Sequence, residues 1–354
     1  MKRKWFAKGM LVCALVSIMG WVEPAVAQSL LSSGDSIEGA AAPTRAQLLR
    51  ARADNFLSRA DSVLSIRYNR GDIDTAYVIR PKTKWTIRAR INESGAKIET
   101  EGIDHGHHFK AEMEADRKAT LSVGVSYLGV SLSAALNPAK MMGKYRDFEL
   151  NLNSYGRRFG FDFIYQDAKN YTGWYDQEGM DRIELPDGML KVKTLNLNAF
   201  YIFNSRRFSY PAAFSQSYIQ RRSAGSFLLA ASGMGQHAKL EGEYPTDLKM
   251  TNIGIGGGYG YNFVPGSGWL LHISALPTFI IYSNTSMTFD NARVPLKYRF
   301  PEVIITGRAA VVRQWGNKFF GLSGVYNFTN IGNNKSLEVD NQKWRVRTFF
   351  GFRL

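Results

Sequence analysis

Cysteine is almost absent from the 354 residues, and proline is sparse: one Cys and 11 Pro. The one cysteine, Cys13, lies in an apolar stretch near the start, so the chain beyond it holds neither a disulfide nor a thiolate metal site. Cys13 also lacks the position of a lipid-anchored first residue, which argues against acylation. No uninterrupted apolar run of about 18 residues follows that stretch, so no later segment reads as a membrane-spanning helix. Acidic side chains are outnumbered, 30 against 45 basic, for a formal charge of +15. Missing too are a phosphate-gripping glycine loop ahead of a helix, a zinc finger, a nucleic-acid module and a Gly-x-Ser-x-Gly elbow. What the chain has in quantity is 22 Phe, 17 Tyr, 7 Trp and 33 Gly, and aromatics favour strands.

Lys2, Arg3, Lys4 and Lys8 precede an apolar core from Met10 to Gly20, and Ala25-Val26-Ala27 places small residues where a signal peptidase reads them. This pattern predicts a cleaved signal peptide over 1–27, with cleavage before Gln28. The core is shorter than the ~20 residues a spanning helix needs. Cleavage removes four basic groups and one acid, leaving 41 and 29 and a net +12. An exported basic chain meets anionic headgroups, acidic glycans or small anions; nucleic acid is not expected as a partner.

Two hydropathy periods divide the remainder. Residues from Gln28 to about Pro43 are small and polar, a tether. Thr44 followed by Gln47 opens a capping box, and Leu49, Ala53, Phe56, Leu57, Ala60, Val63 and Leu64 then share one helical face, predicting an amphipathic helix at 45–66. Its polar side carries both signs, which suits a cover for a protein surface better than a lipid anchor. After Asn69-Arg70-Gly71 the period becomes two. Trp85, Ile87, Ala89 and Ile91 alternate with Lys84, Thr86, Arg88 and Arg90, and Ile253, Ile255, Gly257, Tyr259, Tyr261 and Phe263 form another such face. Trp344, Val346, Thr348, Phe350, Phe352 and Leu354 do the same opposite Arg345, Arg347 and Arg353.

About twelve strands are predicted, at 84–92, 106–114, 119–133, 145–153, 158–166, 190–204, 223–232, 249–264, 268–283, 298–313, 318–328 and 342–354. Odd-to-even links are long, while most even-to-odd links are short: 115–118, 154–157, 264–268 and 314–318. Long loops at one end and tight turns at the other mark an outer-membrane barrel with both chain ends on the periplasmic side. The fold class expected is therefore all-β, an antiparallel transmembrane β-barrel of about 12 strands preceded by a short periplasmic helix. Its parts would be a signal peptide at 1–27, tether and helix at 28–83, and barrel at 84–354, in the outer membrane of a Gram-negative bacterium. The last strand has the alternating apolar face that the barrel assembly machinery reads, with Leu354 in place of the more usual terminal phenylalanine.

Candidate functional residues follow from which face points inward. Arg88, Arg90, Arg158, Arg308, Arg345, Arg347 and Arg353 are the basic lumen candidates, against Glu149 and Asp162. Two readings remain for them: a partly hydrated passage favouring a small anionic solute, or a filled lumen of structural role. One link breaks the short-turn rule. Residues 205–222 put Phe208, Tyr210, Pro211, Phe214, Ser215 and Gln216 at the periplasmic end, where the aromatics need cover, as a plug, a floor or a seat for the 45–66 helix; a ligand contact or a further strand are the other readings. Gly254, Gly256, Gly258 and Gly260 share the inward face, first as a packing feature. His105, His107 and His108 lie among acids, but adjacent strand residues face opposite ways, so they read as a polar loop and no metal or other cofactor is assigned. For hydrolysis a serine must sit beside an oriented histidine. His272 faces inward, yet no serine is singled out by the sequence, so no catalytic residue is named and a lipid-modifying barrel hydrolase stays the alternative.

Ile73-Asp74-Thr75, Tyr77, Arg80-Pro81 before Trp85-Thr86, Tyr201-Ile202-Phe203-Asn204, and above all Arg207-Phe208-Ser209-Tyr210-Pro211-Ala212-Ala213-Phe214-Ser215-Gln216-Ser217 followed by Ser223-Ala224-Gly225-Ser226-Phe227 resemble an uncharacterised Bacteroidota family carrying a domain of unknown function. The resemblance covers about residues 55–354 and implies an outer-membrane β-barrel. It implies no substrate and no catalytic residue.

Overall fold

The computed structural model describes residues 72–354 except 105, 129, 137–147, 170, 243–244, 290–291, 295–301 and 334–336, and before them only 55, 58–59, 61–66 and 68–69. The chain divides into two compact units, Met1–Gly71 and Asp72–Leu354. In the first, the described positions are helical, overlapping the end of the helix expected at 45–66. The signal peptide and tether expected at 1–43 lie outside the described residues.

The second unit is built of β1 Val78–Ile79, β2 Trp85–Asp104, β3 His107–Ala115, β4 Lys118–Tyr127, β5 Val130–Leu136, β6 Phe148–Tyr155, β7 Phe159–Ala168, β8 Tyr171–Gln177, β9 Ile183–Leu185, β10 Leu190–Ile202, helix α1 Tyr210–Phe214, β11 Ile219–Gln220, β12 Ala224–Leu240, β13 Thr246–Phe263, β14 Trp269–Phe289, β15 Ala292–Val294, β16 Val303–Trp315, β17 Lys318–Asn333 and β18 Leu337–Arg353. All pairings are antiparallel. The series runs β6-β7-β10-β12-β13-β14-β16-β17-β18-β2, and β2 pairs on through β4 to β5. Strands β5 and β6, the two ends of this series, lie against each other, so the sheet curls round on itself. Bringing its ends together shields edges that hydrocarbon could not solvate.

Twelve staves result among the described residues, but their register near the start differs from the sequence reading. The stretch 93–105 is not a loop: β2 runs on to Asp104, where Gly106, at φ 88°, turns the chain back into β3. Segment 115–118 is not a turn either. β3 and β4 form one interrupted stave, pairing with the two halves of β2 as Ile98↔Met113 and Arg88↔Gly124, and the chain turns at Leu128 before β5. The cause is physical: beyond Ile91 the staves leave the apolar band, so the outward face has no reason to stay hydrophobic. Likewise β8, inside an expected loop, extends the β7 stave and pairs with β3 over the short β5 and β6.

Burial is inverted relative to a soluble barrel. Outward Phe227 is 70% exposed and Ile273 68%, while inward Arg88 is 1% exposed and Asn252 and Asn262 are fully buried. On β13 the exposed Ile253, Ile255, Tyr259, Tyr261 and Phe263 form a band matching the ~9–11 tilted residues a membrane strand needs. Exposed Phe159, Phe203, Phe227, Trp269, Trp315, Phe320 and Phe352 cluster near the short-turn end as an aromatic girdle. Apolar outside and polar inside, this is an antiparallel transmembrane β-barrel.

Candidate functional site: the filled lumen

Inward side chains fall into three layers. At the short-turn end, the connection between β10 and β12 folds back into the barrel. Phe208, Tyr210, Pro211, Phe214, Ser215 and Gln216 are all buried there. Ser209 caps the helix by accepting from Ala212 N, and Pro211, whose missing N–H costs nothing in a first turn, starts it. The turn that ends it holds Gln216 at φ 53°, unusual for a residue other than glycine, and the site fixes that residue from both sides. Arg88 Nη1 donates to Ser215 O at 2.7 Å, and Arg353 Nε donates to Gln216 O at 2.9 Å. Each buried guanidinium thereby meets a carbonyl that the short helix leaves unpaired. Asn262 Nδ2 donates to Ser209 O at 2.9 Å and to Gln220 Oε1 at 3.0 Å, tying the other flank to β13. Pairing of β1 with β11 lays a two-stranded ribbon beneath. Gly260 leaves the room needed: a Cβ there would stand 3.0 Å from Phe208 Cζ.

Around the helix the barrel wall is aromatic. Tyr210 packs on Phe214 at 4.9 Å, Phe200 at 4.7 Å, Tyr155 at 5.7 Å and His272 at 5.1 Å between ring centres. His272 Nδ1 lies 2.7 Å from Asn262 Oδ1, and its Nε2 lies 3.0 Å from Ser274 Oγ. An amide oxygen can only accept, so Nδ1 carries the proton and Nε2 accepts from the serine hydroxyl.

The middle layer is polar. Arg308 Nη2 donates to Asp162 Oδ2 at 2.6 Å across the lumen, and Tyr155 and Asn153 also donate to that carboxylate. Lys343 reaches Thr194 at 3.0 Å and Asn341 reaches Gln236 at 2.8 Å, so opposite walls touch. The cavities among the described residues include one of about 70 Å³ beside Lys118, Asn198, Arg308, Arg345 and Arg347, and one of about 30 Å³ beside Asn196, Asn327 and Lys343. Toward the long-loop end the interior turns apolar. Met234, Met250, Ile280, Ile304 and Ile331 form one cluster, Ala96, Ala115, Ala168, Tyr171, Leu190 and Val192 another, and Leu248 packs against both.

The seven arginines therefore part company. Arg88 and Arg353 hold the helix; Arg308 pairs with Asp162; Arg90 is buried in the wall; Arg345 and Arg347 line the larger cavity. Arg158 is not in the lumen: it is exposed in the turn before β7, where the alternation has not yet begun. The side chain of Glu149 and residue His105 lie outside the described residues. Among the described residues no group of three His, Cys, Asp or Glu converges as a metal site. Sequence reasoning missed Asn262, Gln220 and the apolar outer layer. The Asn262–His272 pairing was within reach, because the short 264–268 turn sets that register.

Among curated proteins no significant match is found. Solved structures with a similar chain path include the outer membrane protease OmpT from Escherichia coli, 8% identical over 76% of this chain and 97% of that one, TM-score 0.43. Others are the outer membrane protein OprG from Pseudomonas aeruginosa, 10% identical over 77% and 96%, TM-score 0.26, and the beta domain of the Bordetella autotransporter Brka, 11% over 75% and 100%, TM-score 0.31. At such scores nothing about activity is carried across, and the barrel reading stands on the curled antiparallel sheet and inverted burial. A family model matches residues 72–354, the whole second unit, and the chain belongs to that family, described as a domain of unknown function (DUF4421).

Proposed function

We propose that this protein is an outer-membrane barrel of a Gram-negative bacterium, of Bacteroidota origin by the resemblance above, whose own 205–222 segment acts as a plug. The short-turn end is then periplasmic, reached after removal of a signal peptide at 1–27, with 28–83 as tether and helix before a barrel at 84–354. Its partners are outer-membrane lipid and the barrel assembly machinery, engaged through the outward face of β18. In the closed state the role is structural; with the plug displaced, a narrow passage lined by Arg345, Arg347 and Lys343 favours small anions. The observation that carries this is the anchoring of two plug carbonyls by Arg88 and Arg353. Planar-bilayer recording tests it. Wild type is expected to be quiet. Arg88→Gln with Arg353→Gln, or replacement of 209–218 by a Gly-Ser linker, is expected to give stepwise currents whose anion preference falls after Arg345→Gln and Arg347→Gln. Folded plug-released variants that stay silent would defeat the proposal.

The Ser274–His272–Asn262 arrangement favours a second reading, a lipid-modifying hydrolase, since it has the nucleophile, base and orienting group of a triad. Against it, all three are buried beneath Phe208, Tyr210 and Phe214 and face the lumen, not the lipid. A fluorophosphonate probe decides: the plug reading expects no Ser274 labelling in wild type or plug-released protein, whereas labelling abolished by His272→Ala would establish the hydrolase.

A further inference from the structure

The register of the last staves sets out the outer surface at the short-turn end as a grid. Trp269 stands opposite Arg313, Arg313 opposite Phe320, and Phe320 opposite Phe350; one step nearer the turn, Trp315 stands opposite Lys318 and Lys318 opposite Phe352. All seven share the outward parity, because Val312 and Phe319, between them in sequence, are fully buried. Two cations are thus set among five aromatic side chains that are 37–47% exposed. A guanidinium or ammonium on a barrel's lipid face at mid-bilayer would be costly, but at the girdle both groups can reach the headgroup level while the rings stay with the acyl chains.

Arg313 is held in place there. Its Nη1 donates to Ser267 O at 2.6 Å, and its guanidinium carbon lies 5.2 Å from the centre of the Trp269 ring. Among the described residues no acid forms an ion pair with Arg313 or Lys318. The surrounding turns are mostly basic. The connections 156–158, 203–223, 264–268 and 316–317 contain Arg157, Arg158, Arg206, Arg207, Arg221 and Arg222 and not one Asp or Glu; among the described residues Asp72 and Asp74, from the segment before β1, pair with Arg206 and Arg207 alone. At the other end the strand extensions carry Glu99, Glu101, Glu112, Glu114, Glu338 and Asp340. A solvated charge pair needs no aromatic frame, and a soluble polyanion has no use for exposed rings beside its cation. An anionic phospholipid meets both, with its phosphodiester on Arg313 and Lys318 and its chains along Trp269, Trp315 and Phe350.

We infer that the Arg313–Lys318 patch is a binding site for the headgroup of an anionic phospholipid in the leaflet at the short-turn end. The site needs a membrane around the barrel but does not depend on whether the plug moves. Tryptophan quenching by brominated lipid tests it in protein isolated from membranes and carrying Trp174→Phe and Trp344→Phe, so that the rim tryptophans report. In phosphatidylcholine vesicles, a minority of brominated phosphatidylglycerol should quench severalfold more than the same fraction of brominated phosphatidylcholine. Arg313→Gln with Lys318→Gln should bring the two to parity, while a heat-shifted band on a gel verifies that the variant remains folded. Equal quenching in the parent, or an excess that survives the double substitution, would overturn the site.

Discussion

Asp162 is 3% exposed and Arg308 5%, and their pairing crosses the lumen between β7 and β16. A buried pair of this kind adds modest net stability, but removing one partner strands the other charge. Tyr155 and Asn153 satisfy more of the carboxylate, and Phe200 and Tyr210 cover the guanidinium at 5.4 and 6.0 Å. Asp162→Asn is therefore expected to destabilise the barrel by about 3–5 kcal/mol. Adding Arg308→Met should recover most of that loss, because no uncompensated charge is then buried. Urea unfolding in detergent micelles, followed by the loss of the heat-modifiable band, measures both; a double variant as weak as the single one would contradict the pairing. The same scale separates what residues disclose from what they hide. Alternation placed Arg88, Arg308, Arg345, Arg347 and Arg353 on the inward face from sequence. It could not tell that Arg88 and Arg353 spend their donors on plug carbonyls, since those contacts join positions more than a hundred residues apart.

At the level of elements, the apolar band was legible because lipid enforces it on every second residue. Outside the band that pressure stops, and the reading failed there: β2 continues through Glu93–Asp104 with a polar outward face, and the Asp116-Arg117 break was indistinguishable from a turn. The 205–222 segment stood out by its length and aromatic content against otherwise tight turns. Its helix is too short to show periodicity, and its cap, its left-handed Gln216 and its seat against Gly260 emerge only once β13 and β14 are in place. The glycine face on β13 thus has a local cause at Gly260, where the absent side chain admits Phe208. At Gly256 and Gly258 a Cβ would instead collide with the β14 backbone at Pro277 and Ala275.

Across the whole molecule, the arrangement is a lipid-facing cylinder whose interior changes character along its axis, from an aromatic plug through a charged middle to an apolar outer layer. That order sets the plug helix at one end of the lumen and the Met234–Ile331 cluster at the other. Everything rests on lipid lying outside the aromatic alternating faces. With Cys13 replaced by serine, the chain accepts a single nitroxide at each position from 194 to 201 of β10, a stretch without glycine, in turn, in vesicles. Oxygen accessibility should alternate with a period of two, high at 195, 197, 199 and 201 and low between. High accessibility at the even positions instead, or a period near 3.6, would contradict the account.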